Sequence, residues 1–189
     1  MHPTPLREDG RLEVMLRCSV PDRPGALAAL AGAIGHAGGD IQAVDVVEQA
    51  GDEALDDLVV VVDDAGHLSV LLERVREVPG TTLVHAGPSR GHPGDAVTRL
   101  AVGLEAVLSG AMTLENGVKT LLGGLLRASS AEIHPVDDAP AAHDRRLVLP
   151  FNGRALVLVR DYRFTDTEND RATALLRVAL EAAGARTSP

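Results

Sequence analysis

Aromatic side chains are almost missing from this chain. They make up 2% of its 189 residues, and tryptophan is absent. Phe151, Tyr162 and Phe164 all lie in the C-terminal part, so the first 150 residues offer no platform on which bases could stack. Cysteine occurs once, as Cys18, which excludes a disulfide within the chain. Lysine also occurs once, as Lys119; arginine carries the remaining positive charge, and Ala, Gly and Pro abound, as in a GC-rich, bacterial coding sequence. The net charge of −9 repels phosphate backbones, so no nucleic-acid partner is expected. No apolar run approaches the ~20 residues that cross a bilayer. The opening "MHPTPLREDG" has no apolar core of the secretory kind and reads as a loose tail, residues 1–10. A cytoplasmic protein without a membrane partner is expected.

What is present is ordinary for a globular protein: 45% hydrophobic and 24% charged residues, enough for one domain or two small ones. The run "LEVMLRCSV" places Leu12, Val14, Leu16, Cys18 and Val20 on one face of a strand, which makes Cys18 a small core residue. Leu27, Leu30, Ala31 and Ile34 then follow helical spacing, and Gly38–Gly39 ends that helix. Ile41–Gln49 is a mixed strand suited to a sheet edge. Leu58–Val62 is continuously apolar, like a strand covered on both faces. Leu68, Leu71, Leu72 and Val75 mark a second helix, and "TTLVH" a last strand. The order βαββαβ over residues 11–86 is that of a ferredoxin-like sandwich.

Residues 87–94, "GPSRGHPG", read as a linker. Over 95–184 the pattern gives a second small α/β domain, and 185–189 a tail. Its first helix carries a stripe of Val97, Leu100, Ala101, Leu104, Val107 and Leu108; its second carries Val118, Leu121, Leu122 and Leu125. Gly123 and Gly124 inside that second helix suggest a close helix contact there. Asn152–Gly153 between alternating strands predicts a type I′ hairpin, and "TDTE" at Thr165–Glu168 a capping box before a helix with Leu175, Leu176 and Ala179 inward. The overall class is α/β (α+β).

The stretch "PDRPGALAAL" joins the first strand to the first helix. Pro24 suits a first helical turn, and Asp22 is placed to cap it. Gly25 clears space beside unpaired backbone N–H groups, which with the helix dipole favour a carboxylate or phosphate. The same residues also make a plain tight turn.

With "GGDI" at Gly38–Ile41, the stretch Cys18–Ile41 resembles the ACT domain, a small-molecule sensor of amino-acid metabolism, over residues 11–85. The resemblance implies that two copies pair and hold an amino acid between them. Asp22, Arg23, Pro24, Gly25, Ala26 and Leu27 would line the site, with Asp40 and Ile41 from the corner before the second strand. Backbone N–H groups of Ala26 and Leu27 would hold the α-carboxylate, and Asp40 the α-ammonium. The domain from 95 onward is similar to a shortened GAF domain without its usual pocket, its helices serving dimerisation.

Other constellations carry less. His2, His36, His67, His85, His92, His134 and His143 form no i, i+4 pair, and no metal or cofactor is expected. Glu48, Asp52, Glu53, Asp56, Asp57, Asp63 and Asp64 read as a solvated acidic hairpin. No nucleophile–base set or phosphate loop is present, so an enzyme is not expected. The open edge of Ile41–Gln49 and the small-residue helix face Ala29, Gly32, Ala33 and His36 call for a homo-oligomer, a dimer or higher even assembly. Two readings result: an amino-acid-binding regulatory protein, or a ligand-free adaptor that only assembles. An enzyme working at the domain junction is a third, with no motif behind it.

Overall fold

The computed structural model describes residues 9–89 and 93–185. Most of the expected tails, residues 90–92 of the expected linker, and His2 and His92 lie outside the described residues. The chain divides into two compact units, 1–93 and 94–189.

In the first unit the elements run β1 (Leu12–Pro21), α1 (Ala26–His36), β2 (Asp40–Ala50), β3 (Glu53–Val62), α2 (Ala65–Glu77) and β4 (Thr82–Pro88). Gly87 and Pro88 thus extend a strand rather than open a linker. The sheet order is β2-β3-β1-β4 with antiparallel ladders, the ferredoxin-like arrangement. Each helix crosses over the strand lying between the two it connects, so α1 passes above β3 and α2 above β1.

Alternation along β1 buries Val14, Leu16, Cys18 and Val20 beneath the helices with Leu58, Val60 and Val62. Helix α1 meets this core through Leu30 and Ile34, with Ala37 just beyond its end. Leu27, expected inward, is 39% exposed, and Ala31 is only half-buried. The loop Asp22–Gly25 is exposed throughout, so α1 leaves a solvated turn and packs only from its second turn.

The expected solvated acidic hairpin is corrected. Asp56 and Asp57 are buried in β3. Arg17, opposite Asp57 in the β1–β3 ladder, donates from Nε to Oδ1 at 2.7 Å and from Nη2 to Oδ2 at 2.9 Å. A bidentate partner is what makes burial of that carboxylate tolerable. Asp64 instead caps α2, accepting from the His67 N–H at 2.9 Å.

The second unit runs α3 (Pro93–Ser109), α4 (Leu114–Leu125), β5 (Ser130–Pro135), β6 (Arg146–Phe151), β7 (Arg154–Val159) and α5 (Asp166–Ala185). Its sheet order is β5-β7-β6, antiparallel throughout. Asn152 (φ 44°) and Gly153 (φ 72°) make the tight turn of the β6–β7 hairpin. The capping box forms reciprocally: Thr165 Oγ1 accepts from the Glu168 N–H at 3.1 Å, and Glu168 Oε2 from the Thr165 N–H at 2.9 Å.

Two expectations about the helices are corrected. Only Val107 of the α3 stripe is buried; Val97, Ala101 and Leu108 are exposed. The close helix contact falls at Gly103, where a Cβ would strike Leu121, and at Gly117, where it would strike Val107. A Cβ at Gly123 would meet Ala131 of β5, and one at Gly124 nothing within 4 Å.

Candidate functional site

The β1–α1 turn is built by its backbone. The Asp22 N–H donates to the Asp52 carbonyl at 2.8 Å, tying the turn to the β2–β3 connection. Ala26 N–H donates to the Arg23 carbonyl at 3.2 Å, and Ala29 N–H to the Gly25 carbonyl at 3.0 Å, the first bond of the helix. Helix α1 therefore starts at Ala26, with Gly25 as its N-cap at φ 90° and no side-chain cap. Two expectations change: Pro24 lies outside the helix, and Asp22 does not cap it. A Cβ here would force a side chain into the left-handed region.

The turn still has the makings of an anion site. Ala26 spends its N–H on Arg23, which leaves Leu27 and Ala28 as the first-turn donors without an intrahelical acceptor. Where a Cβ of Gly25 would stand, no atom lies within 4 Å, so the approach is open. Asp22, Arg23, Pro24 and Gly25 are exposed, and Ala26 is half-buried.

Asp40 and Ile41 are elsewhere. They begin β2 at the far end of α1, where exposed Asp40 accepts from Gln42 Nε2 at 2.6 Å and Ile41 is half-buried. Eleven helical residues separate that corner from Gly25, roughly 15 Å at about 1.5 Å rise per residue. Within one chain, the Ala26–Leu27 turn and the Asp40 carboxylate cannot clasp one small ligand.

A different carboxylate lies below α1. Asp56 is the Cα partner of Cys18 in β1 and of Val46 in β2. It is 2% exposed, and its Oδ1 has no hydrogen-bond partner. Burial pushes its pKa above the usual carboxylate range, helped by the negative charges of Asp22, Asp57 and Asp45. The Cys18 thiol is pushed up to about 12, first by burial and then by Asp56 and Asp57. Sequence reading placed Asp56 in a hairpin; the missed signal was the two-residue period Ala54, Asp56, Leu58, Val60, which carries the core face back through it.

In the second unit, Arg160 is buried and fully engaged. Its Nη1 and Nη2 donate to Glu168 Oε1 and Oε2 at 2.9 and 2.5 Å, and its other bonds reach the carbonyls of Leu126, Tyr162 and Arg163. The Tyr162 and Phe164 rings stack 4.1 and 3.9 Å from its guanidinium carbon. This closed cluster fastens β7 to the start of α5. Between α3 and α4 an apolar groove of about 350 Å³ is lined in part by Leu100, Val102, Gly103 and Leu121. Among the described residues, no group of His, Cys, Asp and Glu is arranged to hold a metal ion, and no helix is long and apolar enough to cross a membrane.

No curated protein matches the chain. Among solved structures, the ACT domain from GTP pyrophosphokinase of Chlorobium tepidum is 17% identical, covering 41% of this chain and 96% of that one at TM-score 0.34. The regulatory subunit of aspartate kinase from Thermus thermophilus is 14% identical, covering 90% and 91% at TM-score 0.33. A putative glycine cleavage system transcriptional repressor is 10% identical, covering 90% and 93% at TM-score 0.38. At such scores the likeness carries no weight. A family model does match: residues 14–80, which lie in the first unit with its βαββαβ order and β2-β3-β1-β4 sheet, match that of the ACT domain.

Proposed function

We propose that this chain is a non-enzymatic, cytoplasmic regulatory protein that binds an amino acid at the β1–α1 turn of its ACT domain. The observation that carries the reading is Gly25: a left-handed N-cap with open space above it, followed by the Leu27 and Ala28 donors. A carboxylate seated there meets backbone N–H groups and the positive end of a helix dipole. Asp22, Arg23, Pro24 and Ala26 shape the rim. Asp40 and Ile41 join the ligand only from a second copy, because α1 holds them apart within one chain.

Assembly follows from the same sheet. Strand β2 is an edge of 11 residues with Val44 and Val46 exposed at 43% and 49%, so pairing of two such edges supports a homodimer. In the second unit, two helices, a strand, a hairpin and a closing helix support the reading of a shortened GAF-like domain that assists dimerisation.

Thermal melting of the intact protein with each natural amino acid tests the proposal. A ligand at 100 times its Kd adds about 2.7 kcal/mol to a folded state it binds exclusively. At roughly 2–4 °C per kcal/mol, the midpoint should rise by several degrees. If no amino acid shifts it, the ligand-free adaptor reading replaces this one.

A further inference from the structure

Asp56 is a costly residue with no structural return. An unpaired polar atom in a protein interior is destabilising, and more so when charged. Its neighbour Asp57 has Arg17; Asp56 Oδ1 has no hydrogen-bond partner. Alternation places Asp56 on the helix-covered face with Ala54, Leu58 and Val60, and the β1–α1–β2 crossover runs α1 above it. Asp22, at the base of the turn, lies close enough for its charge to raise the Asp56 pKa. The strand beside Asp56 is an open edge, whose Val44 and Val46 share its face and are exposed. One side of α1 therefore presents backbone donors at its N-terminus, and the floor beneath presents an unpartnered acceptor.

We propose that Asp56 receives the cationic head of the ligand, an α-amino acid whose carboxylate sits on the Leu27 and Ala28 N–H groups and whose side chain lies along Val44 and Val46. The inference rests on the reading of the turn as an amino-acid site and adds the ammonium acceptor, which the sequence assigns to Asp40. Unlike Asp40, Asp56 belongs to the same copy as the turn. The ammonium supplies the missing donor, and the buried charge becomes a recognition element.

Calorimetric titration of the intact protein with each natural amino acid and its des-amino carboxylic acid provides the test. Wild type should bind an amino acid and reject the des-amino acid, since a charge-assisted bond worth about 1.5–3 kcal/mol amounts to roughly a ten- to hundredfold change in Kd. Asp56→Asn, nearly isosteric, should lose at least about tenfold in affinity, and Asp40→Asn should lose less. An Asp56→Asn protein that binds like wild type overturns the assignment and leaves the turn reading standing. Equal binding of the des-amino acid by wild type also overturns it, and does so without any variant. If wild type binds no amino acid, the turn reading itself has failed and Asp56 falls with it.

Discussion

Asp56 and Cys18 face each other across the β1–β3 ladder, so a carboxylate and a thiol share the buried floor below α1. Neither has a basic partner among the causes that set its pKa, and each is held toward its protonated form. For Asp56 the sign is definite. Its folded pKa is raised above the ordinary 3.8, so the folded state holds the proton more tightly than the unfolded chain. The stability this contributes is complete below 3.8 and is lost as pH rises through the folded value. Asp56→Asn should therefore melt higher than wild type near neutral pH, by roughly 1 kcal/mol or more, with the gap closing in acid. A neutral-pH melt of the variant well below wild type would contradict the burial of an unpaired charge.

Cys18 should be inert in the folded protein. With its thiol pushed up to about 12, the thiolate is scarce at mildly alkaline pH, and burial shuts out reagents. A chromogenic disulfide reagent should register no free thiol natively and one per chain in guanidinium chloride. Rapid native labelling would contradict the burial of the thiol.

The Arg160–Glu168 pair should be a stability keystone of the second unit. Glu168→Ala leaves a buried guanidinium unpaired and removes half of the capping box. A loss of about 3–5 kcal/mol is expected, read by urea denaturation. A loss under about 1 kcal/mol, the range of exposed pairs, would show that the cluster is solvated.

Glycines of the helix pair should respond with opposite signs. Gly103→Ala drives a methyl into Leu121 and should destabilise by about 1–3 kcal/mol despite the better helix former. Gly124→Ala meets nothing within 4 Å and should stabilise by about 0.5–1 kcal/mol. Equal effects in denaturation would refute the α3–α4 packing.

Local signals were legible in the sequence, and long-range pairings were not. The β1 alternation, the Asn152–Gly153 turn and the Thr165–Glu168 box each depend on neighbours a few residues away, and the structure has each of them. Arg17–Asp57 spans 40 residues and Arg160–Leu126 spans 34, so nothing in the local pattern marks those side chains as buried. Apolar spacing also overstates burial near helix starts: Leu27 in the first turn of α1 and Val97 in the second turn of α3 keep helical phase, yet both are exposed. The candidate site was half legible. The glycine turn announced itself through Pro24–Gly25, whereas Asp40 was chosen for a role that the length of α1 denies it within one chain.

That the N-terminal turn of α1 holds an amino acid is tested most directly by amide spectroscopy. Isotope-labelled protein would be titrated with a mixture of the natural amino acids, and the backbone N–H resonances followed by two-dimensional NMR. The Leu27 and Ala28 amides should move furthest, with Gly25 beside them, and the des-amino mixture should move them far less. If these amides stay fixed while the amino acids are added, the turn is only a turn, and the chain does not sense amino acids there.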